Sequence, residues 1–262
     1  MAKPSRASNP QYHVQSLHEY VLAPLSAAAS RLERERTEVA TERDAFREFR
    51  ERIADIEPAP RTAAPRCFAE STGRSPRTDA LADVRSAYRE TVMDVPHYES
   101  VYGEPLAGHA AAELRPELGH QLAETTSSSF TVPLREALRV AAQRAIDERQ
   151  HLLERLDEEE SSIKTARGEI LELLRPLSTT VIPEWHRGTF LRRLDAIADR
   201  RQERLHARGD LPDDREYSLC THLYDDAEWT YPVLTAVARV RETVTVGEGG
   251  ESALSQRRCE SL

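Results

Sequence analysis

Three Glu-x-x-His pairs lead the groups that could do chemistry: Glu117/His120, Glu148/His151 and Glu203/His206. Residues i and i+3 share a helix face and can hold one metal ion. Two such pairs on facing helices, with further carboxylates, build ferritin-like di-iron sites. Composition tempers that reading, because a glutamate-rich chain with nine histidines generates such pairs by chance. Position tempers it further. In the heptad register set out below, Glu148 falls at g and His151 at c, away from the seam. His206 follows the stripe residue Leu205, and Pro116 and Gly119 interrupt the helix around Glu117/His120. All three pairs are expected to be solvated side chains, and no metal ligand is assigned.

The helix expected over 184–208 holds Arg187, Arg192, Arg193, Arg200, Arg201, Arg204 and Arg208, which could meet phosphates. Glu184, Asp195, Asp199 and Glu203 are interleaved, the last three at steps of four, so the expectation is a surface laced with ion pairs. Cys220 and His222 stand two apart and point to different sides of a helix, which favours a buried structural cysteine over a nucleophile. GxSxG, Walker, GxGxxG and HExxH patterns are absent from the sequence. The reading is therefore a non-enzyme with no catalytic, cofactor-binding or metal residue and no cofactor.

Two aromatic clusters remain. His97, Tyr98 and Tyr102 lie on one segment; Tyr217, Tyr224, Trp229 and Tyr231 lie on another. Such residues favour helix-packing corners or interfaces. The stretches that carry them, VMDVPHYESVYGEPLAGHAAAEL and LCTHLYDDAEWTYPVL, resemble segments of an uncharacterised helical protein family of halophilic archaea, a domain of unknown function. The resemblance covers most of the chain. It implies an archaeal cytoplasmic helical protein and carries over no activity, ligand or active-site residue.

Long helices must position these groups. A helix is expected from about Tyr12 to Glu57, with Pro24 marking a break or kink. Leu25, Leu32, Val39, Phe46 and Ile53 recur every seven residues, supported by Ala28, Phe49 and Ile56, while Glu35 and Glu42 weaken the seam. Four prolines and a glycine make 58–78 a linker or loop. Leu81, Val84, Tyr88, Val92 and Val95 then follow helical spacing up to Pro96, and short helical pieces lead to a loop at 125–129. The strongest pattern runs over 133–177: Leu138, Ala142, Ala145, Arg149, Leu152, Leu156, Glu159, Ile163, Ala166, Ile170, Leu173 and Leu177 take alternating seam positions. A helix of that length needs another helix to cover its stripe, and the first long helix is the obvious partner. Arg149 and Glu159 interrupt the seam and are expected to fix register or partner choice. Replacing both by leucine is expected to change the oligomeric state and raise thermal stability. Shorter helices follow, one presenting Leu191, Leu194, Ala198 and Leu205, one capped by Asp213 and Glu216, and a last one presenting Val233, Val237, Val240 and Val244.

The totals agree with this pattern. Only 39% of the 262 residues are hydrophobic and 31% are charged, which suits long amphipathic helices better than a compact α/β enzyme. The formal charge of −9 disfavours non-specific nucleic-acid binding. Only Lys3 and Lys164 are lysines, a bias that suggests a GC-rich source. Cys67, Cys220 and Cys259 form no disulfide framework, and no signal peptide or membrane-spanning run is recognisable.

The expected fold is all-α: a long coiled-coil-like helical hairpin with a small helical bundle and flexible tails. Its parts are a tail at 1–10, a long helix at 11–57, a proline-rich linker at 58–78, a helical domain at 79–246 and a disordered tail at 247–262. The expected function is that of a non-enzymatic helical interaction or scaffold protein acting through coiled-coil packing, with a protein partner or a second copy. The alternatives are a metal-binding, ferritin-like helical bundle and a nucleic-acid-associated regulator. The expected location is cytoplasmic.

Overall fold

The computed structural model describes residues 10–59, 76–124, 129–175, 182, 184–209 and 219–243. Among them every regular element is helical, so the protein is all-α as expected. The elements are α1 (Pro10–Asp55), α2 (Pro76–Glu90), a 3-10 turn (Val92–Asp94), α3 (Tyr98–Val101), α4 (Leu106–Glu113), α5 (Pro116–Leu122), α6 (Val132–Leu174), α7 (Glu184–Gly209), α8 (Leu219–Tyr224) and α9 (232–243). No described helix is long and apolar enough to cross a membrane. The two tails, most of the proline-rich segment, the 213/216 cap, Cys67, Cys259, Tyr217, Leu177 and Val244 lie outside the described residues.

By its internal contacts the chain forms two compact units, 36–156 and 1–35 with 157–262, so α1 and α6 each contribute to both. In the first unit α1 and α6 run antiparallel. Arg43 donates to Gln150 at 3.1 Å and Arg149 donates to Glu42 at 2.8 Å, while Arg50 reaches Gln143 further along. Phe46, Phe49 and Ile53 of α1 and Leu138, Ala142 and Ala145 of α6 are all buried there, as their heptad spacing requires. The T-shaped rings of Phe49 and Tyr88, 5.0 Å apart, join α2 to the same core. In the second unit Leu25, Ala28 and Leu32 are buried on α1, Ile163 and Ile170 on α6, and Val233, Val237 and Val240 on α9.

Several local expectations need correction. α1 runs unbroken through Pro24. Proline has no N–H to give the carbonyl four residues back. Arg239 of α9 fills the gap, donating to the Tyr20 carbonyl at 2.8 Å with its guanidinium 4.4 Å above the Tyr20 ring. α2 begins at Pro76, inside the stretch expected to be linker, because proline suits the first helical turn. It ends at Glu90 rather than at Val95, where the 3-10 turn takes over before Pro96. Gly119 does not interrupt a helix; it lies within α5, which Pro116 opens. On α7 the buried row is Phe190, Leu194, Ile197 and Arg201, whereas Leu191, Ala198 and Leu205 are only half-buried. Leu194 is common to the expected and the observed rows; the rest of the buried face is turned toward Phe190 and Ile197, where Arg201 meets Glu159.

Candidate functional site

The first unit gathers its polar groups around Arg149. α1 supplies Glu42, α4 supplies Glu113 and His109, α3 with its flanks supplies His97, Tyr98 and Tyr102, and α2 supplies Tyr88. Arg149 donates from Nε to Glu42 at 2.8 Å and from Nη2 to Glu113 at 2.7 Å, and its guanidinium lies 4.5 Å over the Phe46 ring. The other Glu42 oxygen accepts the Tyr102 hydroxyl at 2.9 Å and lies 2.8 Å from His97 Nε2. Burial works to raise the Glu42 carboxyl, but the Arg149 charge and these bonds outweigh it and hold the group below the ordinary range. Arg149 stays firmly charged: burial opposes its charge, and Glu113 and Glu42 more than offset that.

His109 sits deeper. It is 2% exposed, shares a 2.8 Å hydrogen bond with the Tyr88 hydroxyl and packs edge-on against Tyr88, Tyr98 and Tyr102. Its Nε2 is buried with no hydrogen-bond partner. Burial first, and then the Arg149 charge, lower its proton affinity, against the opposing pull of Glu113, Glu104 and Glu42. Burial likewise raises the hydroxyls of Tyr88 and Tyr102 well above the phenolic value. The Tyr98 hydroxyl donates to the Glu104 carbonyl at 2.8 Å, closing the turn whose positive-φ residue is Gly103.

The second unit has its own centre. Arg201 and Glu159 are 2% and 0% exposed and form a two-pronged pair, Nη1 to Oε2 at 2.9 Å and Nη2 to Oε1 at 2.7 Å. Nη1 also donates to the Ser162 hydroxyl at 3.2 Å, and the Cys220 sulfur lies 3.5 Å from Nη2. Cys220 is buried and His222 is exposed, on different sides of α8, and His222 Nε2 lies 2.8 Å from Glu35.

The structure therefore redistributes the groups weighed from sequence. All six members of the Glu-x-x-His pairs are exposed, and among the described residues no group of three or more His, Cys, Asp or Glu could hold a metal ion. Arg149 and Glu159 interrupt the seam as expected, but each is engaged inside the chain. Arg201, counted among surface arginines, is instead buried. His97, Tyr98 and Tyr102 do form a packing corner. His109, Glu113 and Tyr88 were missed as polar partners; nothing in their spacing links α4 to α6 or to the hydroxyl of Tyr88. Glu42 and Arg149 carried a usable signal, since two seam interruptions of opposite charge can answer one another across antiparallel helices.

Fold and centres together define an all-α protein with an arginine–carboxylate network in each unit, half-buried in one and buried in the other. The chain belongs to the family described as Domain of unknown function (DUF7260), which it matches over residues 23–248, a span that holds both networks. No curated protein and no solved structure matches it.

Proposed function

We propose that this chain is a non-enzymatic helical interaction protein whose buried ion pairs fix the pairing of its own helices and so shape the surface offered to a protein partner. The carrying observation is that the charged groups converging in each unit are engaged with one another: Arg149 with Glu42 and Glu113, Arg201 with Glu159. Buried pairs of this kind select one arrangement of helices over others. An open site would instead present unengaged groups to a substrate. Helices patterned like α1 and α6 suit coiled-coil packing with a protein partner or a second copy. The near-absence of lysine and the family resemblance support a halophilic archaeal source and a cytoplasmic place of action.

Light scattering on the purified full chain, with affinity isolation at native salt concentration, tests the reading. A self-associated species or one helical protein recovered in stoichiometric amount is expected. Stoichiometric iron, manganese or zinc in the purified chain, lost in His120→Ala or His151→Ala, would overturn it in favour of the metal-binding alternative.

A further inference from the structure

In the second unit a cleft of about 40 Å³ is lined by residues of α6, α7 and α9. Its polar wall consists of Ser162, Thr165 and Glu169 from α6 and Arg200, Arg201 and Arg204 from α7; Val233 contributes to the apolar side. We propose that this cleft binds one small tetrahedral oxyanion of the phosphate class.

The charge on this wall is not the balanced lace expected for α7 as a whole. Around Arg204 the residues three and four positions away are Arg200, Arg201, Ala207 and Arg208, so no acid stands one turn away on its own helix. Arg204 is exposed and has no ion-pair partner among the described residues. Arg200 is paired with Glu169 at the rim, where half-exposed side chains exchange partners readily. Arg201 is the fixed element. It is held by Glu159 in a two-pronged pair, and its buried Nε–H has no acceptor and remains a free donor. Ser162 accepts from Arg201, and no acceptor among the described residues takes its own hydroxyl proton. The wall thus offers a guanidinium unpaired among the described residues, one exchangeable guanidinium, the free Nε–H of Arg201 and a hydroxyl donor. These are the groups that recognise a tetrahedral oxyanion. The volume suits one such ion, and the net charge of −9 disfavours a long polyanion.

Titration calorimetry of the full chain with inorganic phosphate, against sodium chloride at matched ionic strength, tests this. One phosphate per chain is expected. Arg204→Gln should weaken it by about tenfold or more, the loss of one charge-assisted contact. Glu169→Gln should tighten it, by freeing Arg200 and removing a repulsive carboxylate. Arg193→Gln, on the same helix but outside the cleft, should leave it unchanged. The proposal is overturned if phosphate acts no differently from chloride, or if Arg193→Gln weakens binding as much as Arg204→Gln does. It also fails if a DNA or RNA oligomer binds while free phosphate does not, since contacts along a backbone would then be the cause.

Discussion

A guanidinium held between two half-buried carboxylates is fixed by what it touches, and removing it takes from Glu42 and Glu113 the charge that offsets their own. Arg149→Met should therefore lower stability by about 1–3 kcal/mol, the cost of taking a charged donor from half-buried acceptors, read as the loss in urea unfolding midpoint. The same logic reverses the sequence-based expectation for the double leucine variant. Arg149 and Glu159 belong to different networks, so Arg149→Leu with Glu159→Leu takes an ion-pair partner from Glu42, Glu113 and Arg201 at once. Its melting temperature should fall, and a rise would show that apolar packing by leucine outweighs the pairs. His109 adds a pH dependence. Its proton affinity in the fold is lowered from the ordinary value of 6.5, so the unfolded chain binds the proton more readily. The stability it contributes is present above that value and lost as pH falls below it. Glu42, lowered from 4.5, acts in the same direction in a more acid window. Melting temperatures between pH 8 and pH 5 should thus decline in the wild type and decline less in His109→Gln; parallel curves would remove His109 from the account. At this scale the sequence was half legible. It marked Glu35, Glu42, Arg149 and Glu159 as seam interruptions, and every one is paired. It could not show their partners, because Glu113, Arg201 and His222 are chosen by packing between distant segments.

Helices meet where side chains allow, and the α4–α5 hairpin meets at a glycine. A Cβ on Gly119 would stand 2.5 Å from the Ala107 carbonyl oxygen and 2.5 Å from the Ala111 Cβ. Gly119→Ala should destabilise by about 1–3 kcal/mol or more, since backbone must yield, despite alanine's better helix propensity. Thermal unfolding decides between the two signs. α1 offers a second test. If Arg239 stands in for the N–H missing at Pro24, Arg239→Ala should cost about 1 kcal/mol in the wild type and clearly less in a Pro24→Ala background, where the helix supplies its own donor. Equal costs in the two backgrounds would assign Arg239 only its contact with the Tyr20 ring. The heptads made the long helices readable because one stripe must be covered whatever the details. The Pro24 crossing and the α7 face were not readable. Each depends on an arginine reaching a group on another helix, and a side chain's charge alone does not reveal that.

The two units do not follow chain order, because α1 and α6 serve both. A helical domain confined to 79–246 lacks α1, and each unit depends on α1 through specific contacts. In one, Tyr88 loses the Phe49 ring and Arg149 loses Glu42. In the other, His222 loses Glu35, Asp226 loses Arg31 and Arg239 loses the Tyr20 carbonyl. The apolar faces left bare include those that Phe46, Phe49 and Ile53 complete in the first core. Folding is therefore expected to need residues from both sides of the proline-rich segment. A 79–246 fragment should show reduced helical circular dichroism and no cooperative melting, and mixing it with a 1–59 fragment should restore both, since the missing partner is one helix. A 79–246 fragment that melts cooperatively near the full-length temperature would mean that α1 is an accessory and that the heptad stripe of α6 finds its cover elsewhere.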